Sequence, residues 1–172
     1  MAITVDTTIG GAEANSYVTV QEFKDYMAVR SNVPATISGA ANDTLAKWLL
    51  QACREIDLHA FKGTKYLTGI DADGNPEQAL EFPRNYTYST NGGYIPQNVK
   101  YAQCEQALEI ARLEASGQDR EDRDVLQSFS RGGVSVSFRD RSSEQKSILA
   151  EKAKYYLLPH LASSAGTVKL AR

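Results

Sequence analysis

The stretch Leu80–Leu113 constrains this chain most. It reads Leu80-Glu81-Phe82-Pro83-Arg84, then a polar loop of Tyr, Asn and Gly, then Ile95-Pro96-Gln97-Asn98-Val99 opening a long alanine-rich segment. Pro96 stands where proline is best tolerated, at the first helical position, because the amide it lacks has no partner there. The spacing predicts a helix from about Pro96 to Ala115, with Val99, Ala102, Gln103, Gln106, Ala107, Ile110 and Leu113 or Glu114 along one side and Gly117 closing it. Its alanines permit a neighbouring helix to come close. Ahead of it, Phe82-Pro83-Arg84 is a stiff element that displays an aromatic ring and a guanidinium on a connecting segment, an arrangement suited to docking rather than catalysis.

Three further helices are expected. Thr19 followed by Glu22 is a capping-box pattern that launches a helix from Val20 to about Arg30, with Val20, Phe23, Met27 and Arg30 on one face. The second runs from about Asp43 to Phe61, with Leu45, Trp48, Leu49, Ala52, Cys53, Ile56 and Ala60 at helical spacing and Gly63 placed to end it. The last is capped by Ser142 or Ser143, reaches about Leu158 with Ile148, Leu149, Ala153, Tyr156 and Leu157 inward, and stops at Pro159. Between Val125 and Arg139 the period changes: Val134, Val136 and Phe138 alternate with Ser135, Ser137 and Arg139 around Arg131-Gly132-Gly133, which predicts a β-hairpin. A hairpin is marginal alone, so it is expected to pack on the helices or pair with another chain.

The expected fold class is therefore mainly α: about four helices in a small bundle, one β-hairpin, and extended N- and C-terminal arms. Residues 1–161 form the domain, comprising an arm (1–15), a long loop (64–94) and the hairpin (125–139). Residues 162–172 form a C-terminal docking tail. A hydrophobic share of 42% against 23% charged residues suffices for one real core in 172 residues. No run of 18 apolar residues and no basic-then-apolar N-terminus is present, so a soluble intracellular product is expected.

Chemistry is sparse. Cys53 and Cys104 fall on predicted helices and read as buried free thiols, and with only His59 and His160 they give no zinc spacing. Asp71-Ala72-Asp73-Gly74-Asn75 superficially matches a calcium loop. Its glycine comes two places early, and Phe82 stands where the bidentate Glu belongs, so a tight turn is the expectation. No phosphate-binding loop, nucleophile elbow or His-Glu-x-x-His helix occurs, and no catalytic residue, cofactor or metal is expected. His59, near a helix end, and His160, past a helix stop, read as structural or surface residues. Tyr86, Tyr88 and Tyr94 share one loop with Arg84 and Lys100 nearby, a pattern that stacks single-stranded bases or serves a protein interface. The net charge of -2 favours the interface.

Six segments, in order, resemble the head–tail connector (adaptor, or head-completion) proteins of tailed bacteriophages. They are Ala14-Asn15-Ser16-Tyr17-Val18-Thr19, Trp48-Leu49-Leu50-Gln51-Ala52, Leu80–Arg84, Ile95–Ala102, Gly132-Gly133-Val134-Ser135-Val136 and the Val168-Lys169-Leu170 ending. Some members of that group carry a DnaT-like label, by analogy with a primosomal protein that handles single-stranded DNA. The resemblance implies a virion protein that forms a ring of about twelve copies under the portal, with heterologous subunit contacts. It joins the DNA-filled head to the next neck or tail component and lets DNA pass without gripping it. It makes Val168, Lys169, Leu170, Ala171 and Arg172 the portal-docking end, and Phe82, Pro83 and Arg84 subunit or portal contacts. The mixed-sign run from Asp119 through Arg120 and Arg123 to Asp124 is then available for pairing between neighbours. The alternative is a single-stranded-DNA-binding replication accessory.

Overall fold

The structure, a computed structural model, describes residues 3–67, 78–87, 94–117, 128–131, 134–137 and 149–162. Its helices are α1 (Val20–Ala28), α2 (Ala35–Ser38), α3 (Asn42–Asp57), α4 (Gln97–Ser116) and α5 (Glu151–Leu157), with one 3-10 turn at Asn85–Thr87. α4 is the axis. α3 and α5 pack most extensively on it and α2 less so, while α1 makes its main contacts with α2 and α3.

A helix approached from several sides is buried on more than one face. Accordingly every residue from Ala102 to Leu108 is buried, including Gln103, Glu105 and Gln106. The buried polar groups are satisfied by the neighbours they hold, since an unpaired one is costly. Glu105 accepts from Tyr26 Oη on α1 and pairs with Arg30, each at 2.5 Å. Gln106 Nε2 donates to Glu55 of α3 at 2.5 Å, and its Oε1 accepts the Ala150 amide ahead of α5 at 2.7 Å. Between these tethers, Ala102, Ala107 and Ala111 are fully buried. With no side chain beyond Cβ, they let neighbouring elements approach the helix closely.

Several sequence expectations hold. The Thr19–Glu22 capping box is complete: Thr19 Oγ1 accepts the Glu22 amide at 3.1 Å and Glu22 Oε2 accepts the Thr19 amide at 2.8 Å. Gly117, at φ 64°, supplies the left-handed residue that ends α4. Pro96 sits one place earlier than expected, at the cap position. The two cysteines are buried and free.

The expected fold class needs correction beyond its mainly helical character. Among the described residues there are five helices rather than about four: Ala35–Ser38 forms a short helix inside the stretch expected to be a loop. α3 ends at Asp57 rather than Phe61 because the chain there turns to another partner. Lys62 N donates to His160 O and Ala162 N to Ala60 O, both at 2.9 Å. The final helix is described from Glu151, with Ala150 as its cap. None of the described core residues lies on a β-strand, so the expected hairpin is not part of the described core. Ser128–Arg131 and Val134–Ser137 are extended segments that pair antiparallel with each other. Their alternating pattern gave the period of a strand, while the described core is drawn from the helices and the segments that join them. The N-terminal arm is not extended either. Asn15 Oδ1 accepts the Asp6 amide at 2.8 Å, Asp6 O accepts the amides of Asn15 and Ser16, and Ala14 is buried.

Candidate nucleic-acid interface

The turn after α3 is built around one arginine. Arg84 is only 6% exposed. Its guanidinium donates to the carbonyls of Phe61 (3.2 Å), Lys62 (2.6 Å) and Gly63 (2.6 Å), and pairs with Glu81 Oε2 at 2.6 Å. A planar fork with several fixed donors suits such a cluster of carbonyls. Phe82 is 1% exposed, set edge-on against the rings of Tyr17 and Phe61. Pro83, joined to it by a cis peptide bond, is buried as well. Expected to be displayed for a partner, Phe82, Pro83 and Arg84 instead face inward and fasten the 78–87 segment to the end of α3. An arginine surrounded by carbonyls of its own chain has little surface left to offer.

A second clasp lies on the other side of this segment. Tyr17 Oη donates to Asp57 Oδ1 and accepts the amides of Glu81 (3.1 Å) and Phe82 (3.3 Å), and Asp57 Oδ2 also accepts the Glu81 amide at 3.3 Å. Burial, opposed by the bonds from Tyr17 and Glu81 N, pushes the Asp57 carboxyl up to about 6, with Glu81 nearby adding to the rise and Lys65 opposing it.

What these two clasps present is a ring. Immediately after Arg84 the 3-10 turn carries Tyr86 outward, 44% exposed, stacked on the His160 ring with centroids 6.0 Å apart and 17° between planes. Tyr86 Oη lies 3.2 Å from His160 Nδ1, and the Phe82 ring supports His160 edge-on at 5.6 Å. Gly63 makes room: at φ 69°, a Cβ there would lie 2.3 Å from Asn85 Oδ1 and 2.9 Å from Tyr86 Cδ1. Lys62, exposed beside this stack, reaches Pro159 O with Nζ at 3.0 Å. Burial first, then the Lys62 charge, lowers the pKa of His160, which favours the neutral imidazole. Burial raises that of Tyr86, and the neighbouring Arg84 opposes the rise while Tyr94 adds to it. Tyr94 itself is 52% exposed. The Tyr86 phenol ring, the His160 imidazole and the Lys62 ammonium form an aromatic-and-cation surface of the kind that stacks flat, anionic ligands.

Of the residues singled out in the sequence, Tyr86 follows closely on Arg84, whose guanidinium is buried, and Tyr94 is exposed. Lys100 is committed to Glu22 at 2.7 Å. Tyr88, Asp119, Arg120, Arg123, Val168, Lys169, Leu170, Ala171 and Arg172 lie outside the described residues, as does Asp71–Asn75. Lys62 and the stacking role of His160 were missed; no local pattern links Tyr86 to a histidine 74 positions away. Among the described residues no group of three or more His, Cys, Asp or Glu is placed to hold a metal ion, and no helix is long and apolar enough to cross a membrane.

No curated protein and no solved structure matches the chain. One family model does, over residues 1–172, and its description states single-stranded DNA binding. The chain thus belongs to the family described as "Putative DnaT-like ssDNA binding protein".

Proposed function

We propose that this chain binds single-stranded DNA, stacking unpaired bases on Tyr86 and Tyr94 while Lys62 meets the backbone phosphate. The observation that carries the reading is the Tyr86–His160 stack: a half-exposed ring already fixed in one orientation before any ligand arrives. A base laid on it extends an existing stack, so little ordering cost remains to be met on binding. The family description supports the same ligand. With net charge -2, affinity is modest and comes more from stacking than from phosphate contacts. Fluorescence anisotropy with a labelled oligothymidine at low salt tests this. Binding is expected, with duplex DNA a poor competitor because its bases are not available for stacking. Equal competition by duplex would contradict it.

A second reading, a structural head–tail connector of a tailed phage, is favoured by the charge itself: an acidic chain suits a channel through which DNA slides. Its partners are further copies in a ring, the portal protein and the next neck or tail component, at the head–tail junction of the virion. Absence of oligothymidine binding at low salt, together with a closed oligomer in native mass spectrometry, would favour it over the first.

A further inference from the structure

Between α1 and α4 lies a cleft of about 280 Å³ that none of the mechanism above uses. Val18 lies along it, Tyr26 and Tyr101 form its aromatic walls, and Val29, 82% exposed, stands at the rim. The backbones of α1 and α4 approach each other less than α1 approaches α2 and α3, while contacts of Glu22 with Lys100 and of Tyr26 with Glu105 bridge the two helices. Its polar edge is acidic. Glu22 is already engaged by Lys100 (2.7 Å) and the Thr19 amide (2.8 Å). Asp25, exposed, accepts Gln21 Nε2 at 2.8 Å and carries the charge that Lys100 does not offset. Such a cleft fits one or two aliphatic side chains followed closely by a cation.

The chain carries that pattern at its own end. In an extended Val168-Lys169-Leu170-Ala171-Arg172, Val168, Leu170 and Arg172 fall on one face. Two aliphatic groups then enter the cleft and the guanidinium meets Asp25, in the bidentate geometry arginine favours with carboxylates. The last described residue, Ala162, is tied to Ala60 beyond the end of α3, and residues 163–172 can span at most ~33–36 Å from there. That length is enough for the segment to reach a neighbouring copy.

We infer that the α1–α4 cleft receives the Val168–Arg172 segment of a second copy of this chain. The contact uses different surfaces on the two copies, so it is heterologous and propagates into a closed ring or an open chain of subunits. It is independent of the single-stranded-DNA reading.

Sedimentation velocity of the full chain over a concentration series tests it. Concentration-dependent association is expected, lost on removal of Thr167–Arg172 and weakened at least about tenfold by Leu170→Asp or Asp25→Arg. Because Asp25 is exposed, Asp25→Arg is expected to leave the far-UV circular dichroism unchanged. Combining Asp25→Arg with Arg172→Asp restores association by exchanging the two charges. A synthetic peptide of residues 163–172 binds the truncated chain but not its Asp25→Arg form. A full chain that stays monomeric throughout, a truncated chain that associates as tightly, or a charge exchange that restores nothing would overturn the proposal.

Discussion

Gln103 Oε1 accepts the backbone amide of Tyr17 at 2.9 Å, while its Nε2 donates to Ser16 Oγ at 2.7 Å and to Leu49 O at 3.0 Å. One fully buried amide on α4 therefore fastens the segment before α1 to the middle of α3. Tyr17 in turn anchors the 78–87 segment, so this bond lies upstream of the candidate interface. Gln103→Leu keeps the volume but strands the buried Tyr17 amide and takes one partner each from Ser16 Oγ and Leu49 O. It is expected to destabilise the fold by at least about 2 kcal/mol in urea denaturation, beyond the effect of a like substitution at an exposed position.

Arg84→Lys retains the charge and loses the fork. Three carbonyls of the turn after α3 compete for one ammonium, and Glu81 loses its close partner. The expected loss is about 3–5 kcal/mol, the range for breaking a buried charged cluster. Urea melts measure it, and a loss below 1 kcal/mol would contradict the internal role assigned to this arginine.

Asp57 gives the fold a pH dependence of definite sign. Its carboxyl titrates near 6 in the folded chain against 3.8 unfolded. Between those values the folded state binds more protons, so this group's contribution to stability falls as pH rises through the window. The full effect is on the order of 3 kcal/mol. Asp57→Asn is expected to remove most of the slope between pH 4 and pH 6, seen as a wild-type-minus-variant difference that is flat above pH 7. An unchanged slope would place the ionisation elsewhere.

Gly63 sits where both backbone and space require glycine. Gly63→Ala strains a positive φ and drives Cβ against Asn85 and Tyr86. A stability loss of about 1 kcal/mol or more is expected from the backbone alone. The larger consequence is displacement of the Tyr86 ring from His160, read as a changed Tyr86 ring environment in NMR and as weaker oligothymidine binding.

Much of the scaffold was legible because its signals are local. Helical spacing found α3 and α4, the Thr19–Glu22 box set the start of α1, and Gly117 marked the end of α4. Even the inward direction of Gln103 and Gln106 followed from periodicity. What escaped was non-local. α2 has four residues and follows a proline in a loop-like stretch, so it exists through packing of Ile37 rather than through propensity. The early end of α3 depends on pairing with His160 and Ala162, about 100 residues on. Arg84 read as a displayed cation because nothing near it in sequence announces the three carbonyls that enclose it. The Val134–Phe138 alternation carried a strand's period but no information on whether any core face awaited it.

The most direct measurement is the affinity for labelled oligothymidine of the wild type and of a Tyr86→Ala, Tyr94→Ala double variant, each at two salt concentrations. Removing one stacking ring is expected to weaken binding by about 5- to 150-fold, corresponding to 1–3 kcal/mol per base, and removing both by more. The salt slope should stay shallow and nearly equal in the two proteins, because the lost contacts are uncharged. A double variant that binds as tightly as the wild type, or a wild type that does not bind at low salt, would contradict the account.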